Sequence, residues 1–114
     1  MEKVRQIIYY KKYFDEFYSE QTDKVKGKID DVLFLISVIE KVPRKFLDHM
    51  TGTNGLYEIR IELGSNIFRI FCCFDEGRLV VLFNGFQKKT QKTPKSEIEK
   101  AEKLKAEYFS QKNK

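Results

Sequence analysis

Scarcity narrows this sequence first. It contains one histidine and two cysteines, and the cysteines, Cys72 and Cys73, are neighbours inside an apolar run. Successive side chains of a strand point to opposite faces, so the pair reads as two buried thiols and not a disulfide. A metal site would need spaced ligands such as a CxxC pair with matching company, and His49 has none, so no metal and no cofactor are expected. Long apolar runs are missing too. No segment approaches the roughly 20 residues that span a bilayer as a helix. The opening stretch MEKVRQIIYYKKYF lacks a small-residue cleavage site. The expected address is the cytoplasm, with no membrane partner. Finally, acidic side chains are absent from residues 77–96, which hold Arg78, Lys88, Lys89, Lys92 and Lys95.

What is present fits one domain over residues 1–114, with apolar and aromatic side chains enough for a single core. The net charge of +5 favours a polyanionic partner, although surplus lysine also serves solubility and charge alone leaves both readings open.

Val4 to Tyr10 is rich in β-branched and aromatic residues and reads as a first strand, followed by the charged segment Lys11 to Glu20. From Thr22 to Lys41 the period becomes helical, with Ile29, Val32, Leu33, Ile36 and Ile39 on one stripe. Pro43 stops that helix, and Pro43 to Gly55 reads as a loop. Leu56 to Leu63 alternates. After a Gly64-Ser65 turn, Ile67 to Phe74 forms the next strand, and Leu79 to Phe83 follows a loop of Asp75, Glu76 and Gly77. The continuous apolar run of that last strand suggests cover on both faces. Lys88 and Lys89 lie in a basic turn. Thr93 and Pro94 then suit a capped helix start, with Ile98, Ala101, Leu104 and Tyr108 on its apolar stripe.

Pairing arithmetic brings chemistry together. A two-residue turn at Gly64-Ser65 sets Leu63 opposite Asn66 and therefore Arg60 opposite Arg69. Like charges side by side destabilise a sheet unless an anion or a carboxylate joins them. Either Glu58 and Glu62 neutralise both guanidinium groups, or the pair is a phosphate clamp. With Asp75 to Gly77 as the next loop, Phe83 falls opposite Arg69. An aromatic ring beside basic groups suits single-stranded RNA, whose bases stack while its phosphates are neutralised.

The segment LYEIRIELGSNIFRIFCCFDEGRLVVLFNGFQKKTQKTPKSEIEKA resembles the RelE/HigB toxin family, and especially its phage Gp49-like branch. The residues that carry the likeness are Leu56 to Arg60, the Phe68-Arg69 pair and the stretch from Phe86 to Pro94. The resemblance implies a RelE-like α+β fold: a small antiparallel or mixed sheet of about four strands, two N-terminal helices packed on it, and an amphipathic C-terminal helix. It also implies the toxin of a type II toxin–antitoxin pair that enters the ribosomal A site and cleaves mRNA there as a metal-independent endoribonuclease. Its expected partner is a helix-turn-helix antitoxin of the HigA kind. By position, Arg60 and Arg69 fall where the family holds phosphate or stabilises the transition state, and Lys88 and Lys89 fall on the basic turn. Phe83, Phe86, Lys92 and Lys95 are the expected RNA contacts.

Such a reaction begins with attack by a ribose 2′-hydroxyl on the adjoining phosphorus. It needs a base, cations for the transition state and an acid for the leaving oxygen. The arginines suit the cationic role. Lys88, Lys89 and Glu58 are candidate proton-transfer groups, with Glu58 favoured as an ion-pair partner. His49 reads as an exposed loop residue outside the motifs, and Tyr108 as core. Two other readings are a non-hydrolytic gyrase inhibitor of the same fold, as in the ParE branch, and a binding domain without catalysis.

Overall fold

The computed structural model describes residues 2–112, so Met1, Asn113 and Lys114, the ends of the expected domain, lie outside the described residues. Along the chain come β1 (Gln6–Tyr9), α1 (Tyr13–Ser19), α2 (Asp23–Val38), β2 (Leu47–His49), β3 (Tyr57–Leu63), β4 (Asn66–Asp75), β5 (Leu79–Lys88) and α3 (Lys95–Lys112). This is an α+β fold, with two N-terminal helices, one C-terminal helix and a five-stranded mixed sheet in the order β1-β5-β4-β3-β2. β1 runs parallel to β5, and the other neighbours are antiparallel. No helix among the described residues is long and apolar enough to cross a membrane.

The change of period at Thr22 is realised as α2. The Thr22 side chain accepts a hydrogen bond from the backbone N–H of Val25 at 3.2 Å, satisfying one of the helix's orphan donors. Val25, Ile29, Val32 and Ile36 are buried, a spacing that turns one stripe towards the sheet. The charged segment before it contains α1, which buries Phe14 and Phe17. These two helices share a core with Ile59, Ile61, Phe68, Ile70, Cys72, Val80 and Leu82. The opposite sheet face packs Phe71, Cys73, Val81, Phe83 and Phe86 against Ala101 and Leu104 of α3. β4 and β5 are thus covered on both faces, as the apolar run from Leu79 implies. The adjacent cysteines divide between the two cores and both are free. Burial pushes the Cys73 thiol up to about 11 and Cys72 higher still, so neither is a ready nucleophile.

Three expectations change. Pro43 to Gly55 is not all loop, because Leu47, Asp48 and His49 pair with Ile59, Glu58 and Tyr57 as a fifth strand. His49 is therefore a strand residue, its ring edge-on to Tyr57 at 5.2 Å. β5 continues past Phe83 to Lys88. Pro94 sits just before α3 and not in its first position, with its carbonyl accepting from the N–H groups of Glu97 and Ile98.

Gly85 lets α1 approach β5. A Cβ there would lie 2.6 Å from Phe17 Cδ2, and Phe17 is itself buried. Gly85→Ala is expected to cost about 1–3 kcal/mol through overpacking. A urea midpoint equal to that of the parent chain would contradict so close a fit.

At the far end of the sheet, α3 is tied to the β4–β5 hairpin through Asp75. Lys112 Nζ donates to both of its carboxylate oxygens at 2.8 and 2.9 Å, and the Tyr108 hydroxyl donates to Oδ2 at 2.7 Å. These bonds, Lys112 first, hold the Asp75 carboxyl below its ordinary value. Burial and the bond to Asp75 push Tyr108 up to about 12. A depressed carboxyl stabilises the fold above its unfolded pKa and loses that contribution as pH falls through the lower folded value. Melting temperature followed from pH 5 downwards should therefore fall less steeply in Asp75→Asn than in the parent chain. Parallel curves would refute the tether.

Candidate functional site

Gly64 adopts φ +61° in the turn between β3 and β4, a conformation glycine takes without strain. The turn fixes Leu63 opposite Asn66 and, three steps inward, Arg60 opposite Arg69. The two guanidinium groups share a face with Glu58, which alternates with Arg60 along β3. Glu58 is the carboxylate that makes this tolerable. Its Oε1 accepts from Arg60 Nε at 3.0 Å and lies 2.9 Å from Arg60 Nη2, while its Oε2 is 3.6 Å from Arg69 Nε. Asp48, brought alongside by β2, adds an oxygen 3.4 Å from Arg60 Nη2 and pairs with Arg44 at 3.2 Å.

Burial is uneven across this cluster. The side chains of Glu58 and Arg69 are each 8% exposed, whereas that of Arg60 is 32% exposed. Loss of water lowers the Arg69 pKa from its ordinary value, Arg60 lowers it further, and Glu58 and Glu62 oppose the change. Arginine starts so basic that the group stays charged. Arg69 Nη1 donates to the Phe68 carbonyl at 3.1 Å. Glu58 Oε2 and Arg69 Nε, by contrast, are buried without hydrogen-bond partners among the described residues. The ion triad is therefore incompletely satisfied, a state more costly than a fully bonded network.

Phe83 does not stand opposite Arg69. The turning residues are Glu76, Gly77 and Arg78, with Asp75 paired to Leu79, and β5 gains one further residue between its partners for Cys72 and Ile70. Both shifts move the register, and Phe86 becomes the partner of Arg69. Phe83 is fully buried, edge-on to Tyr10 at 6.2 Å, so it is core and not an RNA contact. Phe86 is 9% exposed and stacks on Phe71 at 5.7 Å.

The lysines adjoin the triad, with Lys88 the last residue of β5 and not part of a turn, and Lys89 just beyond it. Glu62, Ile67 and Lys88 form one rung of the sheet, and Arg60, Arg69 and Phe86 form the next on the same face. Rungs two residues apart are about 7 Å distant along the strands. Lys88 is half-buried, while Lys89, Lys92 and Lys95 are exposed. Lys95 reaches Glu99 at 3.9 Å. Among the described residues, Lys88, Lys89 and Lys92 have no carboxylate within ion-pair distance. Lys88 and Lys89 line a shallow groove of about 410 Å³ with Ser65, Ile67, Thr90 and Gln91. The fold thus unites Arg60, Arg69, Glu58, Lys88 and Phe86, leaves Lys92 and Lys95 further along the basic segment, and removes Phe83.

A family model of phage-derived Gp49-like proteins matches residues 16–106. The chain belongs to that family. The family falls in the RelE/HigB-like toxin superfamily, and its members are usually toxins of toxin–antitoxin systems. No curated protein matches the chain.

Two features of this family member escaped the reading of its sequence. Asp48 joins the arginines only because β2 exists, and a three-residue strand shows no period by which to find it. Asn84 is 2% exposed and donates from Nδ2 to Glu97. A polar residue and a glycine interrupting the apolar run of β5 were the available signal. Neither His49 nor Tyr108 is among the residues that form the triad or its lysine rung.

Proposed function

We propose that this chain is the toxin of a type II toxin–antitoxin pair and cleaves mRNA in the ribosomal A site, without a metal, until a helix-turn-helix antitoxin binds it in the cytoplasm. The observation that carries this reading is the adjacency of two rungs: lysines without carboxylate partners beside two arginines held together by one carboxylate. Family membership agrees with it.

In the reaction, the 2′-oxygen attacks phosphorus, and the bond to the 5′-oxygen of the next nucleotide breaks. The fragments end in a 2′,3′-cyclic phosphate and a 5′-hydroxyl. Lys88 and Lys89 receive the phosphate, and Arg60 and Arg69 meet the charge that grows on its oxygens. Glu58 fixes both guanidinium groups. Its Oε1 is occupied by Arg60, whereas Oε2 accepts no hydrogen bond from the described residues. Oε2 is buried and faces Arg69 Nε at 3.6 Å, so Glu58 serves first as the ion-pair partner, and the more accessible Lys88 and Lys89 are the leading candidates for moving a proton. Lys92 and Lys95 extend the path for the RNA backbone, and Phe86 closes the inner side.

Purified protein given one message, either free or on programmed ribosomes, tests this assignment. Cleavage is expected on the ribosome, with 5′-hydroxyl ends, and little on free RNA, because the ribosome supplies the alignment that the chain's own groups do not. Rapid cutting of naked RNA would overturn ribosome dependence, and 5′-phosphate ends would overturn the mechanism.

A further inference from the structure

Beside these lysines, and outside the triad, lies a cavity of about 600 Å³ between α1 and the end of β5. Its walls differ in character. α1 contributes Tyr13 and the exposed carboxylate of Glu16, its C-cap adds that of Glu20, β5 contributes Asn84 and Phe86, α3 adds Lys100 with its Nζ 5.1 Å from the centre of the Tyr13 ring, and Lys89 stands where this cavity meets the shallow groove of Lys88.

Asn84 reaches this wall through a β-bulge. Cys72 pairs with Leu82 and Ile70 with Gly85, so three steps along β5 answer two along β4. Such an insertion re-aims a side chain, and bulges concentrate beside active sites. The amide orientation is fixed by its neighbours. Nδ2 donates to the Glu97 carbonyl at 3.2 Å and to Glu97 Oε1 at 3.0 Å, and both are acceptors, so a flipped amide would set oxygen against oxygen. Asn84 Oδ1 is then left buried and without a hydrogen-bond partner among the described residues. An unmet buried acceptor costs about 1–3 kcal/mol.

We propose that the cavity receives one unstacked nucleobase of the RNA and that Asn84 Oδ1 accepts a hydrogen bond from that base's amino group. The inference rests on the RNA reading above and adds to it a determinant of where the RNA is cut. Lys89 holds the neighbouring phosphate at the mouth. Glu16 and Glu20 offer acceptors to an edge that presents N–H donors. Adenine, guanine and cytosine carry an exocyclic amino group. Uracil has no amino group, and its one donor on that edge, N3–H, is flanked by two carbonyl oxygens that would meet the carboxylates. A site built around a buried acceptor rejects a ligand that lacks the matching donor.

The test maps fragment ends on translated messages for the parent chain and for Asn84→Ala. The parent is expected to show at least a 5-fold excess of amino-bearing bases over uracil at one fixed position relative to the cut. Asn84→Ala, if folded by circular dichroism, should cut the same messages with that excess lost. An unchanged excess in the folded variant, or no base excess in the parent, overturns the role of Asn84 while leaving the nuclease intact. Absence of any cleavage by the parent removes the nuclease reading itself. Should Asn84→Ala not fold, the parent is assayed on ribosome complexes carrying adenosine or purine riboside at that position. Loss of the amino group is expected to slow cleavage at least 5-fold, and equal rates overturn the proposal.

Discussion

Arg69→Ala is expected to abolish growth arrest on expression and to lower cleavage on the ribosome by about 100-fold or more, the scale for losing one preorganised contact to a charged transition state. The same change also strikes the fold. Glu58 is as buried as Arg69 and would keep Arg60 as its remaining close partner, a loss on the order of 3 kcal/mol when a buried pair is broken from one side. A silent Arg69→Ala chain would therefore leave its cause open. The double variant Glu58→Gln with Arg69→Met separates the two effects. Replacing both partners removes the orphaned charge, so stability should return to within about 1 kcal/mol of the parent, while cleavage stays lost. A stable double variant that still arrests growth would show that the arginine pair is only structural.

Lys88→Ala combined with Lys89→Ala should act in the opposite manner, through binding and not through the fold. Lys89 is exposed, Lys88 is half-buried, and neither pairs with a carboxylate among the described residues. Stability is expected to change by no more than about 0.5 kcal/mol. Affinity for RNA should fall. Each phosphate contact to a single strand contributes about 0.7 to the slope of log K against log salt, so removing two should flatten that slope by about 1.4. An unchanged slope would move phosphate binding away from these two lysines, towards Lys92 and Lys95.

The arginine pair was legible in the sequence and the ring beside it was not, for a physical reason. A two-residue turn with glycine in a left-handed conformation fixes register, and a period of two then carries it unbroken to Arg60 and Arg69. The β4–β5 hairpin offers no such anchor. Its turning residues lie one place later than the composition of Asp75 to Gly77 suggests, and the bulge at Phe83 and Asn84 adds another step, so Phe86 and not Phe83 meets Arg69. β2 is too short for periodicity, and α1 hides Phe14 and Phe17 in a charged segment. Glu58 could be placed on the arginine face from alternation alone, but its burial depends on three-dimensional cover that spacing does not encode.

The central claim is that the triad and its lysine rung cut mRNA during translation. RNA-end mapping after brief induction tests it most directly. The account predicts new 5′-hydroxyl ends in phase with codons inside translated regions, absent when the stable Glu58→Gln, Arg69→Met variant is induced. Growth arrest by the folded parent chain with no new ends, or with ends that ignore the reading frame, would contradict it.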